Sequence, residues 1–370
     1  MTVSEYRDKQ KEQGNPSFVK HMRGLLAVRD IGLDLGSDTT RLCLPDEGVV
    51  LSEPSAVTVR KGTGEVVRFG EQALRLLGRT SSSEEMVRPM KKGAIVDYNQ
   101  ALSMIQYFLR ECCGTMLRQP RMLIAAPMSI NDAEKRFLLM AAQEAGAKNV
   151  YLTESIRAAA LGAGLDLRLP FGRLVADIGS ETTDVAVLSL SGVVVYSSTD
   201  VAGRTMDRAL SAYIRQKHGL SIGELRAEDT KKKIGCVLRP REERAYEVKG
   251  REISTGLPKV RMITATELVP TLQNVAMEIV RKIQWVIART PPELLPDLVK
   301  GGITLTGGGA CLRGLPELIS RQTGLSCTVC EESEDAVARG LLKTLPHLDE
   351  MEEGMLMSDF VHRRGPRGNY

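Results

Sequence analysis

Two stretches of the chain repeat a pattern of acid, glycine and hydroxyl residues. Asp34–Leu44 reads DLGSDTTRLCL, and Asp177–Val187 reads DIGSETTDVAV. Aligned without gaps they share Asp, Gly, Ser, Thr and Thr, and they exchange Leu for Ile and Asp for Glu. Each reads as a strand ending in Asp, a tight Gly-Ser-acid turn and a second alternating strand, which is a β-hairpin. A single copy would be an ordinary hairpin, whereas two copies point to duplicated domains facing each other. A tight turn exposes backbone N–H groups and small hydroxyls that can cradle phosphate oxygens. Gly36, Ser37, Asp38 and Thr39 form that turn in the first copy, and Gly179, Ser180, Glu181 and Thr182 in the second. The strand-end carboxylates of Asp34 and Asp177 suit Mg²⁺, directly or through water. Two such hairpins would clamp a nucleoside triphosphate from opposite sides.

A third segment, GGITLTGGGACLRGL over Gly301–Leu315, reads as a short strand, a triple-glycine turn and a helix beginning near Leu312. Alone it is a plain strand-to-helix turn. Beside the two hairpins, Gly307, Gly308, Gly309 and Ala310 become the loop that admits the adenosine, because glycine backbone allows close approach and offers unpaired N–H groups. Neither GxGxxG nor the Walker GxxxxGK[ST] is present.

The elements that must position these segments follow from the rest of the chain. Its 370 residues suggest two or more domains. With 42% hydrophobic and 26% charged residues, disorder of the whole is excluded. Lys+Arg 50 against Asp+Glu 46 leaves +4, too balanced for a dedicated nucleic-acid binder. No window approaches a membrane span and no signal-peptide core opens the chain. Seven Cys, with Cys327 and Cys330 as a lone CxxC, suit reduced cytosolic thiols rather than zinc. The four dispersed His propose no metal or catalytic site.

Residues 1–30 precede the first hairpin. There Phe18, Met22, Leu25 and Leu26 recur at helical spacing among basic residues, as in an amphipathic segment lying on an anionic membrane. A strand-leading tail or a packing helix fits the same residues. Residues 31–59, 98–165 and 331–350 read as the core of a first lobe, with 60–97 inserted in it. Residues 166–206 and 264–330 read as a second core, with 207–263 inserted. That second insertion shows few strong strands and carries 14 Lys/Arg against 8 Asp/Glu. Thr264–Thr290 is a long helix by its apolar spacing, stopped by Pro291-Pro292. Residues 351–370 read as a disordered tail.

In this order the three segments resemble the superfamily of actin, sugar kinases and heat-shock chaperones. They are most similar to the MreB family of bacterial actin-like cell-shape proteins, over roughly Ile31 to Leu345. Gly48–Ser55 (GVVLSEPS), Arg88–Gly93 (RPMKKG), Ala158–Leu165 (AAALGAGL), Pro291–Leu294 (PPEL) and Val337–Gly340 (VARG) carry the resemblance further. It implies an α/β actin-like ATPase fold: two duplicated lobes with ribonuclease-H-like cores around a nucleotide cleft. It also implies ATP with Mg²⁺, homopolymer filaments, other MreB paralogues and the cell-elongation machinery as partners, and a place at the inner face of the cytoplasmic membrane. Glu228 and Lys231 match a helix that closes on the nucleoside, and Gly203 joins the phosphate set. Met116 and Leu117 match a loop tip that enters the bilayer in relatives; a surface turn with two apolar residues is the plainer reading.

The departures from the family concern mechanism. Relatives carry a catalytic Glu before the Ala-Ala-Ala run, in Glu-Glu-Pro-x-Ala-Ala-Ala. Here the stretch is Glu154-Ser155-Ile156-Arg157-Ala158-Ala159-Ala160. Ser155 takes the catalytic position, and a hydroxyl cannot accept a proton at neutral pH as a carboxylate can. Glu154 is the one nearby substitute, though a one-residue shift at a helix start turns a side chain by about 100°. Both phosphate turns gain an acid, Asp38 and Glu181. At an effective dielectric of about 20, unit charges ~4 Å apart repel by about 4 kcal/mol, so phosphate binding should weaken unless Mg²⁺ or outward rotamers relieve it. Arg204 stands where relatives usually have Asp. These residues imply a membrane-associated filament protein of cell shape that binds ATP and hydrolyses it poorly. The rival is a nucleotide-independent scaffold or filament-modulating pseudo-ATPase.

Overall fold

The computed structural model describes residues 30–78, 83–114, 119–351 and 353. The first sheet contains β1 (Asp30–Leu35), β2 (Thr39–Leu44), β3 (Gly48–Pro54), β4 (Arg121–Ala126) and β5 (Asn149–Glu154), in the order β5-β4-β1-β2-β3. The second contains β6 (Arg173–Ile178), β7 (Thr183–Ser189), β8 (Gly192–Thr199), β9 (Ile303–Thr306) and β10 (Cys327–Val329), in the order β8-β7-β6-β9-β10. The leading strand of each sheet, β1 or β6, pairs antiparallel with its hairpin partner and parallel with the strand arriving from a crossover. The duplication expected from two short motifs thus extends over two five-stranded sheets. The parallel strands β1, β4, β6 and β9 are covered on both faces, which explains continuous apolar runs such as Met122–Ala126.

Helices complete each layer. In the first lobe, α1 (Tyr98–Cys113) and α2 (Asp132–Glu144) share a core with Ile31, Leu33 and Ile124. A capping box between Asn131 and Glu134 starts α2. Then comes α3 (Ser155–Gly162), followed in the second lobe by α4 (Gly203–His218), α5 (Glu224–Ile234) and α6 (Ala265–Arg289). Of the stripe Leu268, Leu272, Val275, Ile279, Ile283 and Val286 that foretold α6, all but the half-buried Val275 are fully buried against the second sheet. The last two helices are α7 (Leu315–Thr323) and α8 (Ala336–Thr344). The helix expected near Leu312 therefore begins at Leu315, because a 3-10 turn over Gly308–Cys311 comes first.

The lobes meet at α3. Ile156 and Ala160 pack on Val175, Ala186 and Leu188 of the second sheet, while Ala158 and Ala159 pack on Leu123, Val337 and Leu341. Helix α8 crosses α3 almost backbone to backbone. A Cβ on Gly162 would lie 1.7 Å from the Ala336 carbonyl oxygen, and one on Gly340 1.8 Å from that of Ala158.

Each lobe carries a small antiparallel sheet: Val57–Arg60, Val66–Phe69 and Glu84–Val87 in the first, Leu220–Ser221, Ala245–Glu252 and Pro258–Thr264 in the second. The boundaries read from sequence at 60 and 207 fall inside elements, the strand Val57–Arg60 and helix α4. The second insertion also has a long hairpin where few strands were expected. Its residues lie mostly in solvent, so charged and apolar positions mix and Val248 alone of the strand Ala245–Glu252 is fully buried. The amphipathic stretch within residues 1–29, Met116, Leu117 and residues 354–370 lie outside the described residues. Among the described residues no helix is long and apolar enough to cross a membrane.

Candidate functional site

A cavity of about 400 Å³ lies between the lobes. It is lined by both hairpin turns, by the strand-end aspartates Asp34 and Asp177, and by Ser155, Gly203, Glu228, Lys231 and Gly307–Gly309. Of the residues singled out from sequence, Glu154 and Ala310 are not in the lining. Ala310 is buried beneath the glycine turn.

The local backbone explains why these residue types sit here. At the first turn a Cβ on Gly36 would approach the Thr39 carbonyl oxygen to 2.6 Å, so only glycine fits. Ser55 clamps this turn: its hydroxyl donates to the Gly36 carbonyl at 2.6 Å and its N–H to that of Asp38 at 2.8 Å. At the second turn the start of α4 is tied down by N–H bonds from Gly203 to the Gly179 carbonyl and from Arg204 to that of Ser180. Gly307 adopts φ +78°, and a Cβ there would meet the Ile178 carbonyl oxygen at 2.4 Å. The glycine turn thus crosses directly over the end of β6.

Burial pushes the Asp34 carboxyl up to about 6, against the pull of Arg41, whose Nη1 is 3.9 Å away. Burial pushes Asp177 up to about 7; the Thr306 hydroxyl, donating at 2.8 Å, holds it down, while Asp184 and Asp34 add to the rise. Two buried carboxylates that feel each other across one cavity form an oxygen donor set of the kind Mg²⁺ takes. These residues fit the metal, with phosphate oxygens and water to complete its shell. Lys231 donates to the Gly203 carbonyl and pairs with Asp207 at 2.9 Å, and Glu228 pairs with Lys232 at 2.7 Å.

Ser155 is the first helical residue of α3 and lines the cavity. The position before the helix belongs to Glu154, so Ser155 is not the helix cap. Glu154 itself is 0% exposed and lies outside the lining. As a substitute base it is misplaced, because the one-residue shift at the helix start takes it into the protein near Arg157.

The acids of the two turns do not face the cavity unopposed. Arg204 donates to both Asp38 oxygens and to Glu181 Oε1, the last at 3.1 Å. Its side chain is 13% exposed and that of Glu181 10%. Both acids of the turns therefore share one arginine. Three departures that look independent along the sequence are one cluster in space. Sequence reading missed Arg41 and its 2.6 Å bond to Asp335, since nothing in the local pattern places residues 294 positions apart together. It also missed Asp184, though its ladder position opposite Asp177 follows from the hairpin.

A family model described as MreB/Mbl protein matches residues 28–353. The cell shape-determining protein MreB of Escherichia coli (strain K12) is 38% identical over 348 residues, covering 92% of this chain and 100% of the relative. The cell shape-determining protein Mbl of Bacillus subtilis (strain 168) is 36% identical over 330 residues, covering 89% and 99%. Among solved structures, MreB5 of Spiroplasma citri bound to ADP superposes with a TM-score of 0.84 at 32% identity, covering 87% of this chain and 97% of that one. The duplicated sheets, the cleft between them and these likenesses over nearly the whole length agree: the chain belongs to the MreB/Mbl family of actin-like proteins.

Proposed function

We propose that this protein is a filament-forming cytoskeletal element of cell-shape determination that holds ATP or ADP in the cleft and turns ATP over slowly. The observation that carries the reading is the convergence of both repeated turns, both strand-end aspartates and the glycine turn on one cavity. Relatives named as cell shape-determining proteins and a neighbour bound to ADP support it. The phosphates would lie against Gly36–Thr39 and Gly179–Thr182, with Arg204 balancing Asp38 and Glu181. The adenosine would lie against Gly307–Gly309, with Glu228 and Lys231 on its other side. Asp34 and Asp177 would hold Mg²⁺, which neutralises phosphate charge when bound. Ser155 can orient a water but cannot take its proton, and losing general-base help typically costs ~10²–10⁴-fold in rate.

The working site is the inner face of the cytoplasmic membrane, with self-association, other MreB paralogues and the cell-elongation machinery as partners. Residues 16–27 and Met116–Leu117 are the elements proposed to touch lipid. Liposome sedimentation of a variant lacking the first segment and carrying Met116→Ser and Leu117→Ser tests that part, and unaltered lipid binding would reject it. Calorimetric titration with ATP and Mg²⁺, followed by single-turnover hydrolysis, tests the cleft. Ser155→Glu should raise turnover by about tenfold or more with little change in affinity. An unchanged rate would mean that the catalytic position is elsewhere. A second reading, a scaffold with no nucleotide cycle, is favoured by Arg204 bridging the turns, and failure to bind ATP at millimolar concentration would select it.

A further inference from the structure

The segment Arg88–Gly93 belongs to the first lobe, yet it reaches contacts on both sides of the cleft. Arg88 Nη2 donates to Glu224 Oε1 of the second lobe at 2.7 Å, and its Nε lies 3.4 Å from Asp38. The Lys92 backbone N–H donates to Glu181 Oε2 at 2.7 Å, and its ammonium pairs with Asp200 at 2.5 Å, both in the second lobe. Gly93 N–H donates to the Ser37 hydroxyl at 3.0 Å, back in the first turn. Lys92 holds φ +51°, a left-handed conformation that a non-glycine residue keeps only where its surroundings fix it. From the opposite side Arg204, at the start of α4, donates across the cleft to Asp38 and within its own lobe to Glu181. Every link between the lobes in this cluster is ionic or charge-assisted, and the two central partners, Arg204 and Glu181, are mostly shielded from water.

We propose that Arg204 and the Arg88–Gly93 segment form an ionic latch that holds the two lobes closed over the phosphate turns with no nucleotide present. Arg204 acts as a positioning residue: it fixes both turns at the spacing that phosphates would otherwise have to impose. Closure then responds to salt and to charge at the turns, and nucleotide adds little further compaction. The latch stands on the contacts between the lobes, and its bearing on nucleotide rests on the cleft being the nucleotide site.

The test uses the full chain without nucleotide, with X-ray scattering for lobe closure and hydrogen exchange at Gly36–Thr39 and Gly179–Thr182 for the turns. Raising salt from 0.1 to 1 M shortens the screening length from about 10 to about 3 Å. The expected result is a salt-driven increase in radius of gyration and a rise of about tenfold or more in turn exchange. Arg88→Ala with Arg204→Ala should show both changes already at low salt and a severalfold smaller further salt response, that of the remaining Lys92 pair. Arg204→Lys, which keeps the charge but not the fork, should fall between. Arg281→Ala, which removes the exposed pair with Glu278 outside the cleft, should behave as the parent chain. Thermal melts identify a variant that has simply lost its fold, and the salt series on the unaltered chain still decides. A nucleotide-free chain whose dimensions and turn exchange ignore salt, or a folded double variant that matches the parent in both, would overturn the latch.

Discussion

Across the first hairpin ladder Asp34 faces Arg41, whereas at the same place in the second hairpin Asp177 faces Asp184. The backbone duplication is close, with the same strand order and the same parallel and antiparallel pairings, but the charge at this matched position is reversed. Burial raises both carboxyls; Arg41 pulls Asp34 part of the way back toward ionisation, whereas at Asp177 the Thr306 hydroxyl does so and Asp184 adds to the rise. A second difference lies at the next strand. In the first lobe β4 runs into Pro127, while in the second β9 runs into Gly307, Gly308 and Gly309. The duplicated framework supplies shape, and each copy then takes its own part. The second sets a glycine turn beside a carboxylate faced by another acid, and the first sets a proline beside a carboxylate faced by an arginine.

The sharpest way to break this arrangement is at the junction of the copies. Gly340→Ala would force α3 and α8 apart, and chemical denaturation should show a loss of about 3 kcal/mol. A change below ~0.5 kcal/mol would mean the helices do not touch as described. Next in size, the two aspartates should differ as cation holders. Asp177→Asn should weaken Mg²⁺-dependent ATP binding about tenfold more than Asp34→Asn, because Arg41 already balances Asp34. Calorimetry giving equal losses would remove the functional meaning of the asymmetry. Arg41→Gln sharpens the point through a double-mutant cycle: with the arginine gone, the gap between the two Asn variants should shrink severalfold. The smallest effect belongs to the rim. Lys92→Ala loses an exposed pair but keeps the backbone bond to Glu181, so stability should move by no more than ~0.5 kcal/mol.

Much of this was legible along the chain, because local chemistry fixes local shape. The Gly-Ser-acid turns, the apolar stripe of α6 and the glycine turn after β9 each depend on residues a few positions apart, and each lies where its pattern placed it. Ser155 lines the cavity as its motif position implied. The start of α7 was misplaced because a 3-10 turn and a helix share the same Gly-rich lead-in. The hairpin Ala245–Thr264 was missed because a mostly solvated sheet has no strict alternation to read. The pairing of Arg204 with Asp38 and Glu181, and of Arg41 with Asp335, lay beyond any local rule. Each joins charges from separate elements, and Asp38 or Glu181 alone looks like a defect in a phosphate turn. Their compensation is visible only once the fold brings them together.

The contact of α3 with α8 at Gly162 and Gly340 has a mechanical consequence. Two helices that meet with no side chain between them cannot slide without lifting their backbones apart, so α8 locks α3 onto the first sheet while the opposite face of α3 carries the second. A rotation of the second sheet over that face of α3 would move Ser155 least and the small sheets on the rim most. A small rotation at that helix face would thereby become a wide swing at the rim.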